Sequence, residues 1–466
     1  MFNSLDKFSS SVAFEDEDNN RLRYSDLISF SDIFKEIIPA RSLVFSLCSN
    51  NKESMIGYIS FIRNKAVPLL IDSSINTKSL SDLCDKYLPD YIWMPSSRRE
   101  IYRNYEVVYS YENYKLVAFN NSCMAKLNPN LAMLLMTSGS TGSPKLVRLS
   151  YKNIKSNAES ISNYLSLDNL QRPITSLPMS YSFGLSIINS HIIKGATILL
   201  TSRSLMEKSF WSMLKDKKAT SLSGVPYTFE MLKKLRFFNM DLPNLKSLTQ
   251  AGGKLNKETV KEFALYCKTN KKDFYVMYGQ TEATARMSYV PAGTIMDKPG
   301  SIGIAIPNGE FSIDTSDNES SLDSNVDGEL IYSGPNVSLG YASCVADLEK
   351  GDENNGTLYT GDIARKDKDG FFYITGRKRR FIKIFGNRIN LDEAEQIIKE
   401  IYQSVACAGS DDNMSIYIVN ENMVDKVKKH VSNRMGIHFS AFKIYVIDEI
   451  PKNVSGKILY TELTEE

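Results

Sequence analysis

Residues 43–71 read LVFSLCSNNKESMIGYISFIRNKAVPLLI. Two short apolar runs, 43–49 and 67–71, flank a stretch near 52–63 whose apolar residues recur with helical period. Parallel strands need a long crossover between them, usually a helix, and this segment has that shape. Parallel α/β layering is therefore expected. The middle of the chain repeats the pattern. A strand at 219–223 leads to a helix entered through Pro226, a strand at 246–250 to a helix capped by Asn256, and a third strand follows at 274–278. Sheets of this kind hold their ligands beyond the carboxyl ends of their strands.

Further on, residues 314–327, DTSDNESSLDSNVD, are too polar to pack and predict a surface loop at the start of a β-rich region. After Gly376 the alternation restarts, with a helix at 392–402, a strand at 415–419, a helix at 421–435 and a strand at 443–447. The expected class is α/β. A large N-terminal domain, 1–376, would hold layered α/β subdomains and a β-rich subdomain, and a small mobile α+β lobe would occupy 377–466.

With 466 residues, 24% charged residues and a formal net charge of +2, the chain has ample core and little of the charge excess of a dedicated nucleic-acid binder. One basic run stands out, RKRRFIKIFGNR at 377–388. It reads equally as a solvated strand edge or as a nucleic-acid or localisation patch. Six cysteines, at 48, 84, 123, 267, 344 and 407, form no CxxC pair and carry no metal-ligand spacing. A reduced, cytoplasmic protein is expected. No apolar run approaches the roughly 18 residues of a membrane span, and the first residues lack a signal-like apolar core.

Four segments fall where functional groups would emerge. TSGSTGSPK at 137–145 follows the apolar run 131–136. Gly139 and Gly142 permit positive φ and close approach of backbone N–H groups to an anion, Thr137, Ser138, Ser140 and Thr141 add hydroxyls, and Lys145 adds a charge. It is not the GxxxxGK[ST] loop of NTPases, and a plain surface turn has the same composition. YGQTEA at 278–283 begins where a strand ends. Tyr278 offers a ring face to a base, Thr281 a hydroxyl to a phosphate and Glu282 a hard oxygen to Mg²⁺. YTGD at 359–362 supplies Asp362, able to accept from two ribose hydroxyls, and PKNVSGKI at 451–458 projects Lys457 from a turn. Taken singly, each also reads as a turn or a solvated tail.

Together, and in this order, they resemble the AMP-forming adenylating superfamily of acyl-CoA synthetases, aryl-CoA ligases, luciferases and peptide-synthetase adenylation domains. The resemblance spans nearly the whole chain. It also includes GGKL at 252–255, GELIYSGPNVSLGY at 328–341 and GRKRRFIKIFGNRI at 376–389. It implies ATP, Mg²⁺ and CoA, or the pantetheine of a carrier protein, as cofactors. It further implies that 137–145 closes over the β- and γ-phosphates, that Gly252 and Gly253 line the adenine, and that Tyr278 stacks on it. Gly279 and Gln280 belong to the same nucleotide-binding segment. Thr281 would touch the α-phosphate, Glu282 hold Mg²⁺, and Asp362 with Arg377 bind the ribose. Lys457 would bridge the attacking carboxylate and the α-phosphate, while Arg388 approaches the phosphates. The resemblance places a hinge at Arg379, where the family usually has Asp or Lys, and so makes the basic run a hinge and strand facing phosphates. The lobe is shorter than the family's usual one, which leaves the thiol acceptor open.

The resemblance also frames the acid. Peptide-synthetase domains place an Asp where this chain has Gly184, in YSFGLS at 181–186, so no carboxylate there awaits an α-ammonium. LPMSYSFGL at 177–185 looks like the acyl- and aryl-CoA ligase pattern, with Tyr181 where His is frequent. The expected function is an ATP-dependent acid–thiol ligase that forms an acyl-adenylate, releases pyrophosphate and passes the acyl group to a thiol, foremost CoA. The alternative is a stand-alone adenylation enzyme that loads an acyl group or unusual amino acid onto a carrier protein. A non-catalytic scaffold is disfavoured by the intact set of motif residues, and an oxygen-using luciferase shares the first half-reaction. The implied partners are a small carboxylic acid and CoA or an acyl carrier protein, without nucleic acid or a membrane span. His191, His430 and His438 match no motif position.

Overall fold

The computed structural model describes residues 2–102, 105–119, 126–136, 145–315, 327–384, 387–410, 413–435, 437–452, 456 and 458–463. The described residues divide into two compact units, one drawn from residues up to 136, 145–310 and 333–358, the other from 311–315, 327–332 and from 359 onward.

In the first unit the opening stretch folds as expected. Strand Leu43–Cys48 pairs in parallel with strand Val67–Asp72, and helix Lys52–Arg63 crosses between them. Asn51 caps this helix by accepting from the Ser54 N–H. Burial on nearly every face follows from packing on both sides: Gly57 lets the Trp93 ring approach within 2.6 Å of where a Cβ would stand, and Trp93 Nε1 donates to the Glu53 carbonyl at 3.0 Å. A methyl group there would displace the indole.

These strands belong to an eight-stranded sheet that is mixed rather than purely parallel. Leu69 and Leu70 pair in parallel with strand Leu131–Met136, whereas that strand and strand Leu146–Ser150 run antiparallel. Strand Tyr91–Pro95 likewise continues into antiparallel neighbours, Tyr114–Ala118 and then Glu106–Tyr111. The cause is local. The two-residue connection between Glu106–Tyr111 and Tyr114–Ala118 leaves no room for a crossover helix, so these two strands return as a hairpin.

A second, five-stranded sheet carries the repeat in the middle of the chain. Strands Ser221–Gly224, Ser247–Gln250 and Asp273–Tyr278 are parallel and in register, and Tyr278 then pairs antiparallel with Ser288. Helix Pro226–Lys234 has proline in its first turn, and Asn256 caps helix Lys257–Thr269 through the N–H groups of Glu258 and Thr259. The carboxyl ends of these strands deliver Gln250 to the GGKL loop and Tyr278 to YGQTEA.

The second unit holds a four-stranded sheet, ordered Glu310–Asp314, Gly328–Ser333, Thr357–Lys366, Phe372–Arg377. Phe311, Tyr332 and Phe372 pack ring against ring in its core. The unit ends in a three-stranded sheet in which Asn413–Ile418 pairs antiparallel with Val405–Ser410 and parallel with Phe442–Val446. Helix Val424–Met435 is the crossover, and with helix Leu391–Lys399 it covers one apolar core. Of the polar stretch 314–327, residues 316–326 lie outside the described part of the chain.

Candidate active site

The loop after strand Ser247–Gln250 opens with Gly252 at φ +81°, and a Cβ there would stand 2.6 Å from the Tyr181 hydroxyl oxygen. The conformation and the space both call for glycine. A Cβ on Gly253 would stand 3.0 Å from the Pro226 ring. Tyr181 itself is packed edge-on to Phe183 at the start of helix Ser182–Ile192. Gly184 in that helix meets the Pro178 carbonyl, 2.2 Å from where a Cβ would be. Close backbone packing therefore accounts for the missing side chain, and an Asp does not fit at this position.

The loop after strand Asp273–Tyr278 is tightly folded back. A Cβ on Gly279 would lie 1.8 Å from the Ala285 carbonyl oxygen. Thr284 takes φ 67° and ψ −56°, and the Ala285 N–H donates to the Ala283 carbonyl at 2.7 Å. This is a γ-turn of the rare positive-φ kind on a β-branched residue, a conformation that costs of order 1–3 kcal/mol. Its surroundings hold it in place. The Thr284 hydroxyl donates to the Asn336 carbonyl at 2.7 Å, and Asn336 Nδ2 donates to the carbonyls of Ala283 and Arg286 at 2.9 and 3.2 Å.

That turn sets the side chains around it. The Thr281 hydroxyl donates to Ser182 Oγ at 3.2 Å, and Gln280 Nε2 to the Tyr278 hydroxyl at 3.2 Å. The Glu282 carboxylate accepts from the Tyr341 hydroxyl at 2.6 Å, and Lys145 Nζ stands 5.8 Å from the centroid of the Tyr341 ring. Lys145, Thr281, Glu282 and Tyr341 are thus brought to one place.

Tyr341 is fixed from behind by Arg148, which is fully buried on strand Leu146–Ser150. Its guanidinium donates to the carbonyls of Leu339 at 2.9 Å, Tyr341 at 3.1 Å and Gly351 at 3.1 Å, and pairs with Glu353. Among the described residues no three His, Cys, Asp or Glu side chains gather into a metal cluster. A divalent ion at this place would rest on the Glu282 carboxylate and take its other oxygens from phosphates and water, as Mg²⁺ commonly does.

In the second unit Asp362 and Arg377 face each other across an antiparallel pair, and Arg377 Nε donates to the Asp362 carboxylate at 3.2 Å. Asp362 is 5% exposed, Arg377 much more open. Gly361, at φ +71°, turns the strand just before the carboxylate. In the basic run, Lys378 pairs with Glu329 at 2.9 Å. Arg380 is committed to its own unit: it reaches Asp392 and Glu395 at 2.6 Å and lies 3.8 Å from the Tyr460 ring centroid. Arg379 falls in the turn Lys378–Arg380 and Arg388 in strand Asn387–Asn390. Their side chains, residues 137–144 and Lys457 are outside the described residues. Around Lys457, Lys452 bridges antiparallel to Ile458, and Gly456 has φ 76°.

A family model described as AMP-binding enzyme matches residues 90–342. The chain belongs to the AMP-binding enzyme family. It is 28% identical over 356 residues to luciferin 4-monooxygenase of Nipponoluciola cruciata, a match covering 70% of this chain and 62% of that protein. It is 27% identical over 348 residues to 2-succinylbenzoate–CoA ligase of Listeria innocua, covering 72% and 70%. In fold it is similar to the O-succinylbenzoate coenzyme A synthetase of Bacillus subtilis in complex with AMP, with TM-score 0.81 and 20% identity over 100% of this chain and 98% of that one. The match to the luciferin monooxygenase leaves more than a third of that protein's length unmatched.

In this AMP-binding enzyme the sequence motifs assign no role to Tyr341, Ser182, Arg148 or Arg286. Tyr341 closes the GELIYSGPNVSLGY motif and so carried a signal. Arg148 and Arg286 had only a faint one, a lone arginine inside an otherwise apolar or weakly polar run. No helix among the described residues is long and apolar enough to cross a membrane.

Proposed function

We propose that the protein is an ATP-dependent ligase that joins a carboxylic acid to a thiol, CoA in the first instance, in the cytoplasm. The observation that carries this reading is the convergence of Lys145 and Glu282 on Tyr341, beside Thr281 and Ser182, at the carboxyl end of a parallel strand. A cation, an acid and a hydroxyl at such a position suit a triphosphate and its metal.

In the first half-reaction a carboxylate oxygen attacks the α-phosphorus of ATP, the bond to the bridging oxygen breaks, and pyrophosphate leaves. Both reactants are anions, so the barrier is lowered by holding them in line and neutralising charge. Mg²⁺ bound at Glu282 would supply charge to the phosphate oxygens. Thr281 donates to the α-phosphate, Lys145 offsets charge on the departing pyrophosphate, and Tyr341 keeps the Glu282 carboxylate aimed. Tyr278, Gly252 and Gly253 accept the base, and Asp362 and Arg377 are the ribose pair. Lys457 is assigned to the attacking carboxylate. In the second half-reaction a thiol sulfur attacks the acyl carbon and AMP leaves. The functional boundary is placed at 376/377, with Arg379 as hinge.

The test is acid-dependent pyrophosphate release across fatty, aryl, hydroxy, dicarboxylic and amino acids, with CoA or hydroxylamine as acceptor. Lys457→Ala should lower adenylation 10²- to 10³-fold, about 3 kcal/mol, while keeping much of its thiolysis of a supplied acyl-adenylate. Equal retention of both half-reactions would remove Lys457 from its role. Absence of ATP cleavage with every acid would remove the ligase reading.

A further inference from the structure

Arg286 is 2% exposed, yet it has no carboxylate partner among the described residues. Its Nε donates to Ser186 Oγ at 3.1 Å and its Nη1 to the Tyr164 hydroxyl at 3.1 Å, with the Met277 sulfur at 3.3 Å. The guanidinium carbon lies 5.1 Å from the centroid of the Phe183 ring. All these partners are neutral. The other titratable neighbour, His191, is buried, and burial together with the Arg286 charge pushes its imidazole down to about 4, so it too is neutral. A buried cation facing only neutral dipoles costs several kcal/mol relative to one paired with an anion.

The backbone holds this cation firmly. The Arg286 carbonyl accepts from Asn157 Nδ2 at 2.8 Å and Asn336 Nδ2 at 3.2 Å, directly after the strained turn at Thr284. Its surroundings are largely apolar. Phe183 and Met277 belong to one apolar cluster with Leu177, Ile187, Val225 and Ala251. Ser182, which touches Thr281, and Ser186, which touches Arg286, lie just over one turn apart on helix Ser182–Ile192, about 6 Å along its axis. A water-sized cavity lies against both serines and Thr284.

We infer that Arg286 binds a second carboxylate on the acid, so that the protein activates one end of a compact dicarboxylic acid while Arg286 holds the other; this rests on the ligase reading above. The carboxylate activated beside the α-phosphate that Thr281 holds and the one held at Arg286 are separated by little more than one helical turn, which suits a spacer of a few carbon atoms. The Phe183 face and the Met277 sulfur line that spacer. An ω-amino acid, whose distal ammonium would meet this arginine, is selected against.

The experiment compares ATP–pyrophosphate exchange by the full chain with α,ω-dicarboxylates from malonate to adipate against monocarboxylates of matched length. Wild type should favour at least one diacid over its matched monoacid by tenfold or more in kcat/KM. Arg286→Met should lower that ratio at least a hundredfold, and Arg286→Lys should retain part of it. The ratio is taken within one preparation, so a loss of folded protein, which lowers both terms alike, does not imitate the result. A wild type that prefers the monoacids, or a ratio unchanged in Arg286→Met, overturns the inference. Calorimetric titration of the same diacids without ATP separates the two readings. Diacid binding that wild type shows and Arg286→Met loses supports the subsite even where no acid drives exchange, an outcome that would overturn only the ligase reading.

Discussion

Arg148 and Arg286 are both buried in the first unit, and they are embedded in opposite ways. Arg148 meets a row of main-chain carbonyls and the Glu353 carboxylate, so its charge and its donors are accounted for within the chain. Arg286 meets two hydroxyls, a sulfur and a ring. Equal burial with unequal compensation separates an arginine that holds the fold from one that awaits a ligand.

The largest effect expected from this contrast is on stability. Arg148→Ala removes the donors from several buried carbonyls and leaves a void, and should cost at least ~3 kcal/mol, read as a lowered urea midpoint. Arg286→Met, by contrast, replaces an uncompensated cation with an apolar chain of similar length. It should change unfolding free energy by less than ~1 kcal/mol, or raise it. If Arg286→Met destabilises as much as Arg148→Ala, the two arginines are alike and the distinction fails.

A smaller effect tests what Arg148 holds in place. Tyr341→Phe keeps the main-chain bond from Arg148 to residue 341 and deletes only the hydroxyl that donates to Glu282 at 2.6 Å. If Tyr341 positions a metal-binding carboxylate, the Mg²⁺ concentration for half-maximal adenylation should rise about tenfold with the urea midpoint unchanged. A fall in rate with no change in Mg²⁺ dependence would mean that the hydroxyl acts some other way.

The parts legible in the sequence are those with short-range causes. The strand–helix–strand period of 43–71, the proline entry at Pro226 and the Asn256 cap each act within a few residues, and each appears in the structure where expected. The antiparallel flanks of the large sheet do not follow from periodicity, because a strand's pattern is blind to its partner's direction. Glu282 could be read from its motif, but its link to Tyr341 joins residues 59 apart in sequence. Arg286 was hidden for the same reason. Its meaning lies in Tyr164, Ser186 and Met277, which come from three different elements, and in the absence of an anion among them. No local pattern reports an absence.

The smallest predicted effect probes the Arg286 charge through its neighbour. The His191 Nδ1–H donates to the Ile187 carbonyl at 2.8 Å, and burial first, then the Arg286 charge, holds the imidazole at about 4. An unfolded chain takes up a proton at an imidazole near pH 6.5. The unfolded state therefore binds the proton before the folded state does as pH falls, and His191 erodes stability between about 6.5 and about 4, with no penalty above that window. Removing the cation in Arg286→Met leaves the burial and deletes the repulsion, so the folded imidazole should titrate at a higher pH and part of the acid loss should disappear. The chain has only three histidines, so ring resonances can be followed directly in an NMR titration. A His191 midpoint that is the same in wild type and Arg286→Met would mean that Arg286 does not carry an uncompensated charge in its pocket, because a neutralised guanidinium exerts no such push.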